Sequence, residues 1–225
     1  LWGGVQTWLD QTARGLRERG WNVTLGLVEG ARFHDPAAYA DMHPGHHTVR
    51  ASCRTSTPEG RARAIERMLA ETRPDVLVIA NVADGLEGAR RWKRTAAGRA
   101  LRVVYTMHAF LAGQMADVLS YVGTVDRVVG TNRLLEGALV ATLGADVPVG
   151  YAPYGTEAPR ARRQPSSATA RPLRLAWVGR MEEPQKRTRD LGLLMRRCLE
   201  MGLDFRCDVV GDGPSAATLR GQLAG

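Results

Sequence analysis

Apolar positions alternate between helical spacing and short strand-like runs along nearly the whole chain. Val5, Trp8, Leu9, Thr12, Ala13 and Leu16 recur every three or four residues, which predicts an amphipathic helix that ends at Gly20. Val23, Leu25 and Leu27 come next with period two and predict a strand. Residues 30–57 carry His, Pro, Gly and Ser without a period and read as irregular. A helix is predicted over 58–72, with Ile65, Met68 and Leu69 on one face. The apolar runs 75–80 and 101–106 are of the kind buried in a parallel sheet, and a polar helix covers about 84–97 between them. A helix near 112–120, a strand over 125–130, a helix over 132–143 and a short strand over 147–151 complete the series.

This βαβ order predicts an α/β fold, a doubly wound sheet with helices on its faces. Such sheets bind ligands at the carboxyl ends of their strands, where the helix N-termini offer free N–H groups. Residues 1–156 form the first Rossmann-like domain in this reading. Residues 157–172 are rich in Pro, Ser and Arg without apolar periodicity and read as a linker. The pattern then restarts over 173–225, with strands at 173–178 and 205–210 and helices at 190–201 and 215–223. Two strands make a thin core for an α/β domain, so this second Rossmann-like unit reads as the first part of a larger one.

At 225 residues and 24.5 kDa, with 44% apolar residues, the chain is large enough for one domain or one and a half. No run of about 18 apolar residues occurs, so no membrane-spanning segment is expected. Leu1-Trp2-Gly3-Gly4 has neither the basic nor the apolar region of a signal peptide and reads as a chain entered in mid-fold. The formal charge is +8, and Arg supplies all the cations except Lys93 and Lys186. A positive balance favours anionic partners. The cations are dispersed, however, and no aromatic-basic stacking motif accompanies them, so no nucleic acid is expected. Cys53, Cys198 and Cys207 have no paired spacing and read as reduced thiols of a cytoplasmic protein. Four histidines, His34, His43, His46 and His47, crowd into 30–57, but their irregular spacing predicts an acceptor-side loop rather than a metal site.

Several residues carry candidate chemistry. Gly3 and Gly4 precede the first helix, where glycine lets a ligand approach the free N–H groups; a plain tight turn is the alternative. His108 comes just after the strand at 101–106 and would stand in the crevice, able to hydrogen-bond a sugar hydroxyl or carry a proton. Thr131 and Asn132 end the next strand, as a helix cap or as ligand contacts. Gly179 and Arg180 end the first strand of the second unit, and Lys186 lies six residues beyond Arg180. Two fixed cations on one strand-to-helix loop suit a diphosphate, whose charge on departure they would neutralise. Gly211-Asp212-Gly213-Pro214 ends the next strand and allows close backbone approach.

The second unit reads LRLAWVGRMEEPQKR from Leu173, then Asp190-Leu191, then DVVGDGP from Asp208. In that order and spacing it resembles the glycosyltransferases of family 4, which have the GT-B fold. The stretches GGVQTWLDQTARGLRERGWNVTL, YTMHAF, VVGTN and PYGTE resemble further landmarks of the same family, so the resemblance covers nearly the whole chain. It implies transfer of a sugar, with retention of configuration, from a nucleoside-diphosphate sugar to a glycan, lipid or small-molecule acceptor, without a metal or other cofactor. It implies a cytoplasmic protein, in places at the inner face of the membrane as a peripheral associate. Gly3 and Gly4 would approach the donor phosphate or acceptor, His108 the transferred sugar, and Arg180 and Lys186 the diphosphate. Tyr154 and Gly155 would sit at the hinge, and Gly211 and Gly213 beside the nucleotide. The family's first strand should precede the Gly pair, and its Glu, seven residues, Glu signature should come after Gly213, where no such pair stands. The expectation is therefore a fragment that is inactive by itself. Two other readings stay open: a nucleotide-sugar epimerase of GT-B fold, and a non-catalytic basic Rossmann-like binding module.

Overall fold

The computed structural model describes residues 3–29, 35–155 and 172–223. The chain divides into two compact units, Leu1–Glu157 and Ala158–Gly225. The stretch read as a linker lies, up to residue 171, outside the described residues.

The first unit runs α1 (Gly4–Arg17), β1 (Thr24–Val28), α2 (Pro36–Met42), β2 (His47–Ala51), α3 (Pro58–Thr72), β3 (Val76–Ala80), α4 (Asp84–Lys93), β4 (Arg102–Met107), α5 (Ala112–Ser120), β5 (Arg127–Gly130), α6 (Arg133–Leu143) and β6 (Val149–Tyr151). All its strand pairs are parallel. β1 pairs with β2, and β3 to β6 form a four-stranded ladder in sequence order. Among the described residues no ladder joins the pair to the four strands. One apolar core nevertheless spans both: Ala51 and Cys53 from the end of β2 and beyond it cluster with Ile65, Met68 and Leu69 of α3 and with Val103, Tyr105 and Met107 of β4.

Two expectations change here. Residues 30–57 are not irregular throughout, because they contain α2 and β2. Asp35 caps α2, its side chain accepting from the Ala38 N–H at 3.0 Å, and Pro36 opens the first turn, where its missing N–H is harmless. Thr48 and Val49 are β-branched, and β2 pairs with β1 from His47 to Ala51. The run 75–80 is not fully buried either. β3 is the edge of its ladder; Ile79 points into the core while Val76 and Val78 stand 40% and 42% exposed.

Three of the four cations at 90–94 are paired within the fold. Arg91 pairs with Glu59 and Glu87, and Arg90 pairs with Glu87. Lys93 bonds Asp126, whose carboxylate also accepts the Val103 N–H at 2.7 Å and so fixes the start of β4. Hydrogen bonds from Arg91 and Arg63 hold the Glu59 carboxyl down at about 2. These groups are accordingly not a free cationic surface.

The second unit consists of β7 (Leu173–Val178), α7 (Glu183–Lys186), α8 (Thr188–Glu200), β8 (Phe205–Val210) and α9 (Ala216–Leu223). β7 and β8 are parallel. Trp177, Phe205, Cys207 and Val209 face a small core of Met181, Leu191, Met195, Ala216 and Leu219. The opposite face of the pair leaves Val178 75% exposed. No described helix is long and apolar enough to cross a membrane.

α3 and α4 pack closely because Gly88 has no side chain. A Cβ there would lie 2.7 Å from Ile65 Cγ2 and 3.0 Å from the Ala62 carbonyl oxygen. Gly88→Val should therefore destabilise the first unit by about 1–3 kcal/mol through overpacking. Chemical denaturation monitored by circular dichroism measures this, and an unchanged midpoint would contradict the packing described.

Candidate active site

The parallel ladder of the first unit brings several of the predicted residues to one end. His108 stands directly after β4, and Tyr154 lies three residues beyond β6. The Tyr154 hydroxyl is 2.7 Å from His108 Nδ1, and the Thr106 hydroxyl is 3.1 Å from His108 Nε2. Thr106 is buried and gives its only hydroxyl proton to the Ile79 carbonyl oxygen at 3.1 Å. It must then accept from His108, so Nε2 carries the ring proton and Nδ1 accepts from the Tyr154 O–H. Trp8 of α1 meets the His108 ring edge-on, centroids 4.8 Å apart. Burial pushes the His108 imidazole down to about 4, so it is neutral at physiological pH.

Gly4, the first residue of α1, lies against the Tyr154 ring: a Cβ on it would be 3.8 Å from Tyr154 Cε1. Gly3 is the N-cap, in extended conformation and with no side chain to cap the helix. The structure brings Gly4, His108 and Tyr154 together, and Gly3 precedes Gly4 as the N-cap of α1. Thr131 and Asn132 serve the scaffold. The Thr131 hydroxyl donates to the Met107 carbonyl oxygen at 3.1 Å and is buried, while Asn132 Oδ1 caps α6 by accepting from the Leu135 N–H at 2.8 Å. Gly155 has open space around it.

In the second unit the loops after β7 and β8 run backbone to backbone. Gly179 N–H donates to the Val210 carbonyl, Met181 N–H to the Asp212 carbonyl, and Ser215 N–H to the Met181 carbonyl. Gly211 and Gly213 adopt φ of 148° and 152°, and a Cβ on either would collide with the carbonyl oxygen of Gly179 or Met181. Their glycines are thus required by chain approach alone. Arg180 is ion-paired to Glu182, two residues on. Lys186 ends α7 and is exposed. Thr188, buried, ties the loop by donating to the Glu182 carbonyl at 3.1 Å.

The family model for Glycosyltransferase Family 4 matches residues 2–181. The chain belongs to glycosyltransferase family 4. No curated protein matches it. Among solved structures, the apo form of the lipopolysaccharide outer core galactosyltransferase WaaB is similar to this family 4 chain with a TM-score of 0.69 at 13% identity. The match covers 99% of this chain and 61% of that one, so the family 4 chain spans under two thirds of the length of that structure. At that identity the likeness establishes the GT-B fold.

Four contributors to these sites lie outside the residues read as candidates from the sequence. Trp8 looks like an ordinary apolar helix position. Thr106 does carry a signal, as a hydroxyl inside the apolar run Val103-Val104-Tyr105-Thr106-Met107. Asn81, left-handed at φ 55° just after β3, accepts from Gln114 Nε2 at 2.9 Å at the same end of the ladder. Glu182, the partner of Arg180, looks like part of the spacer between Arg180 and Lys186.

The low affinity of His108 for a proton has a consequence for stability. The unfolded chain takes up a proton near the ordinary value of 6.5, the folded one near 4. Acidification across that window favours the unfolded chain, and the stabilisation is fully present above about 6.5. The melting temperature of wild type should fall more steeply between pH 6.5 and 4 than that of His108→Gln. Parallel pH profiles of the two would contradict a buried neutral ring.

Proposed function

We propose that this family 4 protein transfers a sugar from a nucleoside-diphosphate sugar to a glycan, lipid or small-molecule acceptor, with retention of configuration. The convergence of Gly4, Trp8, His108 and Tyr154 at the carboxyl end of the β3–β6 ladder carries the reading. A sugar combines hydroxyls with apolar C–H faces, and this site combines aromatic surface with ring nitrogens and a phenol. His108 acts as a hydrogen-bonding group: a base that titrates near 4 has little power to take a proton at neutral pH. A sugar hydroxyl takes the place of the Tyr154 hydroxyl at His108 Nδ1.

The diphosphate of the donor lies on the loop from Gly179 to Thr188. Arg180 and Lys186 neutralise the charge that develops on the leaving group, so the transfer step needs no metal ion. Glu182 holds Arg180 until the diphosphate displaces it. The free thiols Cys53, Cys198 and Cys207 fit a cytoplasmic place of action, with a lipid acceptor drawing the protein to the inner membrane face.

Calorimetric titration with UDP, GDP and ADP tests the donor side. One of the three should bind. Arg180→Ala and Lys186→Ala should each weaken it about tenfold or more, the loss of a charge-assisted contact. Glu182→Gln should strengthen it by removing a carboxylate that competes for Arg180. Undiminished binding in both Ala variants would sink the phosphate assignment, and salt-dependent DNA binding without nucleotide binding would favour a basic binding module.

A further inference from the structure

Two histidines, His43 and His46, converge on one carboxylate oxygen of Asp10, more than thirty positions before them in the sequence. Asp10 lies on α1, His43 caps the C-terminus of α2, and His46 stands just before β2. Asp10 Oδ1 is 2.6 Å from His46 Nε2 and 3.4 Å from His43 Nδ1. The three donor atoms lie within 4.8 Å of one another. They border a cavity of about 280 Å³ that Arg14, Arg17 and Gly45 complete. None of these residues belongs to the site at His108.

We propose that Asp10, His43 and His46 bind a divalent first-row transition metal ion, Zn²⁺ foremost. Two imidazole nitrogens and one carboxylate oxygen are a donor set suited to such ions. Donors about 2.0–2.2 Å from a tetrahedral zinc stand about 3.3 Å apart. The His43–Asp10 separation already has that value, and the Asp10–His46 contact has to open by less than about 1 Å.

The surroundings orient the donors. Asp10 Oδ2 accepts from Arg14 at 2.6 Å, which turns Oδ1 toward both histidines. Tyr39 stacks on His43 with centroids 4.7 Å apart. Such outer contacts fix ligand orientation in metal sites.

Arg17 sets a condition. Its Nη1 lies 2.6 Å from His46 Nδ1, and binding through Nε2 requires the ring proton on Nδ1. Nη1 therefore has to withdraw from His46 on binding, while Arg17 keeps its bonds to the Gly45 and Val23 carbonyl oxygens, at 3.3 and 3.1 Å. The two guanidinium groups disfavour a bare dication, so the fourth position, open to the cavity, takes hydroxide or another anion. The bound ion ties α1, α2 and the approach to β2 together.

This metal site is independent of the glycosyl transfer reading, and ZnCl₂ alone tests it. Calorimetric titration into the chelator-treated full chain should show one tight equivalent and a raised melting temperature. Asp10→Asn and His43→Gln should each weaken that equivalent about tenfold or more. His47→Gln should leave it unchanged, since His47 lies outside the cluster and bonds Thr24. In the wild type, without any substitution, zinc should shift the ring signals of His43 and His46 in NMR spectra and leave those of His47 and His108 in place. Absence of a tight equivalent, wild-type affinity in Asp10→Asn and His43→Gln, or shifts confined to other histidines would overturn the assignment.

Discussion

The parallel register of β3, β4, β5 and β6 is the constraint on which the first unit depends. It sets Ala80 beside Thr106, Met107 beside Gly130 and Gly130 beside Tyr151, so the strands end together. The residues just past the strand ends, Asn81, His108, Thr131 and Tyr154, are thereby delivered to one end of the ladder. The Thr106 hydroxyl connects ladder and site. It is buried on β4, donates to a carbonyl of β3, and accepts from the Nε2–H of His108. A buried hydroxyl engaged on both sides fixes the imidazole tautomer, and the tautomer decides that His108 meets Tyr154 as an acceptor.

The second unit achieves order by a different means. Its two-stranded sheet buries one face, and its cation-bearing loop is shaped by glycine rather than by a large core. Gly211 and Gly213 allow the segment after β8 to lie directly on the segment after β7. That contact, with Thr188 bonded to the Glu182 carbonyl, presents Arg180 and Lys186 from one short loop. The Arg180–Glu182 ion pair ties to its own loop a guanidinium whose proposed partner is a diphosphate.

Periodicity and strand-end position make much of this legible in the sequence. The α/β order, His108 after β4 and the Gly-rich ends of β7 and β8 all come from apolar spacing and turn chemistry. The paired strand β2 escapes such a reading because His47-Thr48-Val49-Arg50-Ala51 carries one strongly apolar residue, and its pairing with β1 depends on a partner 23 positions away. The exposure of Val76 and Val78 escapes it because an apolar run does not state which face its neighbours cover. The roles of Thr131 and Asn132 stay double in the sequence, and only the positions of the Met107 carbonyl and the Leu135 N–H assign them to the scaffold. Asp10, 36 positions from His46, cannot be associated with it by spacing.

At the centre stands a neutral His108, held by Thr106 and Tyr154. Long-range ¹H–¹⁵N NMR of its imidazole, at a pH of about 6, reads both protonation and tautomer directly. A neutral ring with its proton on Nε2 is expected, since burial takes its titration to about 4. A cationic ring at that pH, or a proton on Nδ1 alone, would contradict the arrangement.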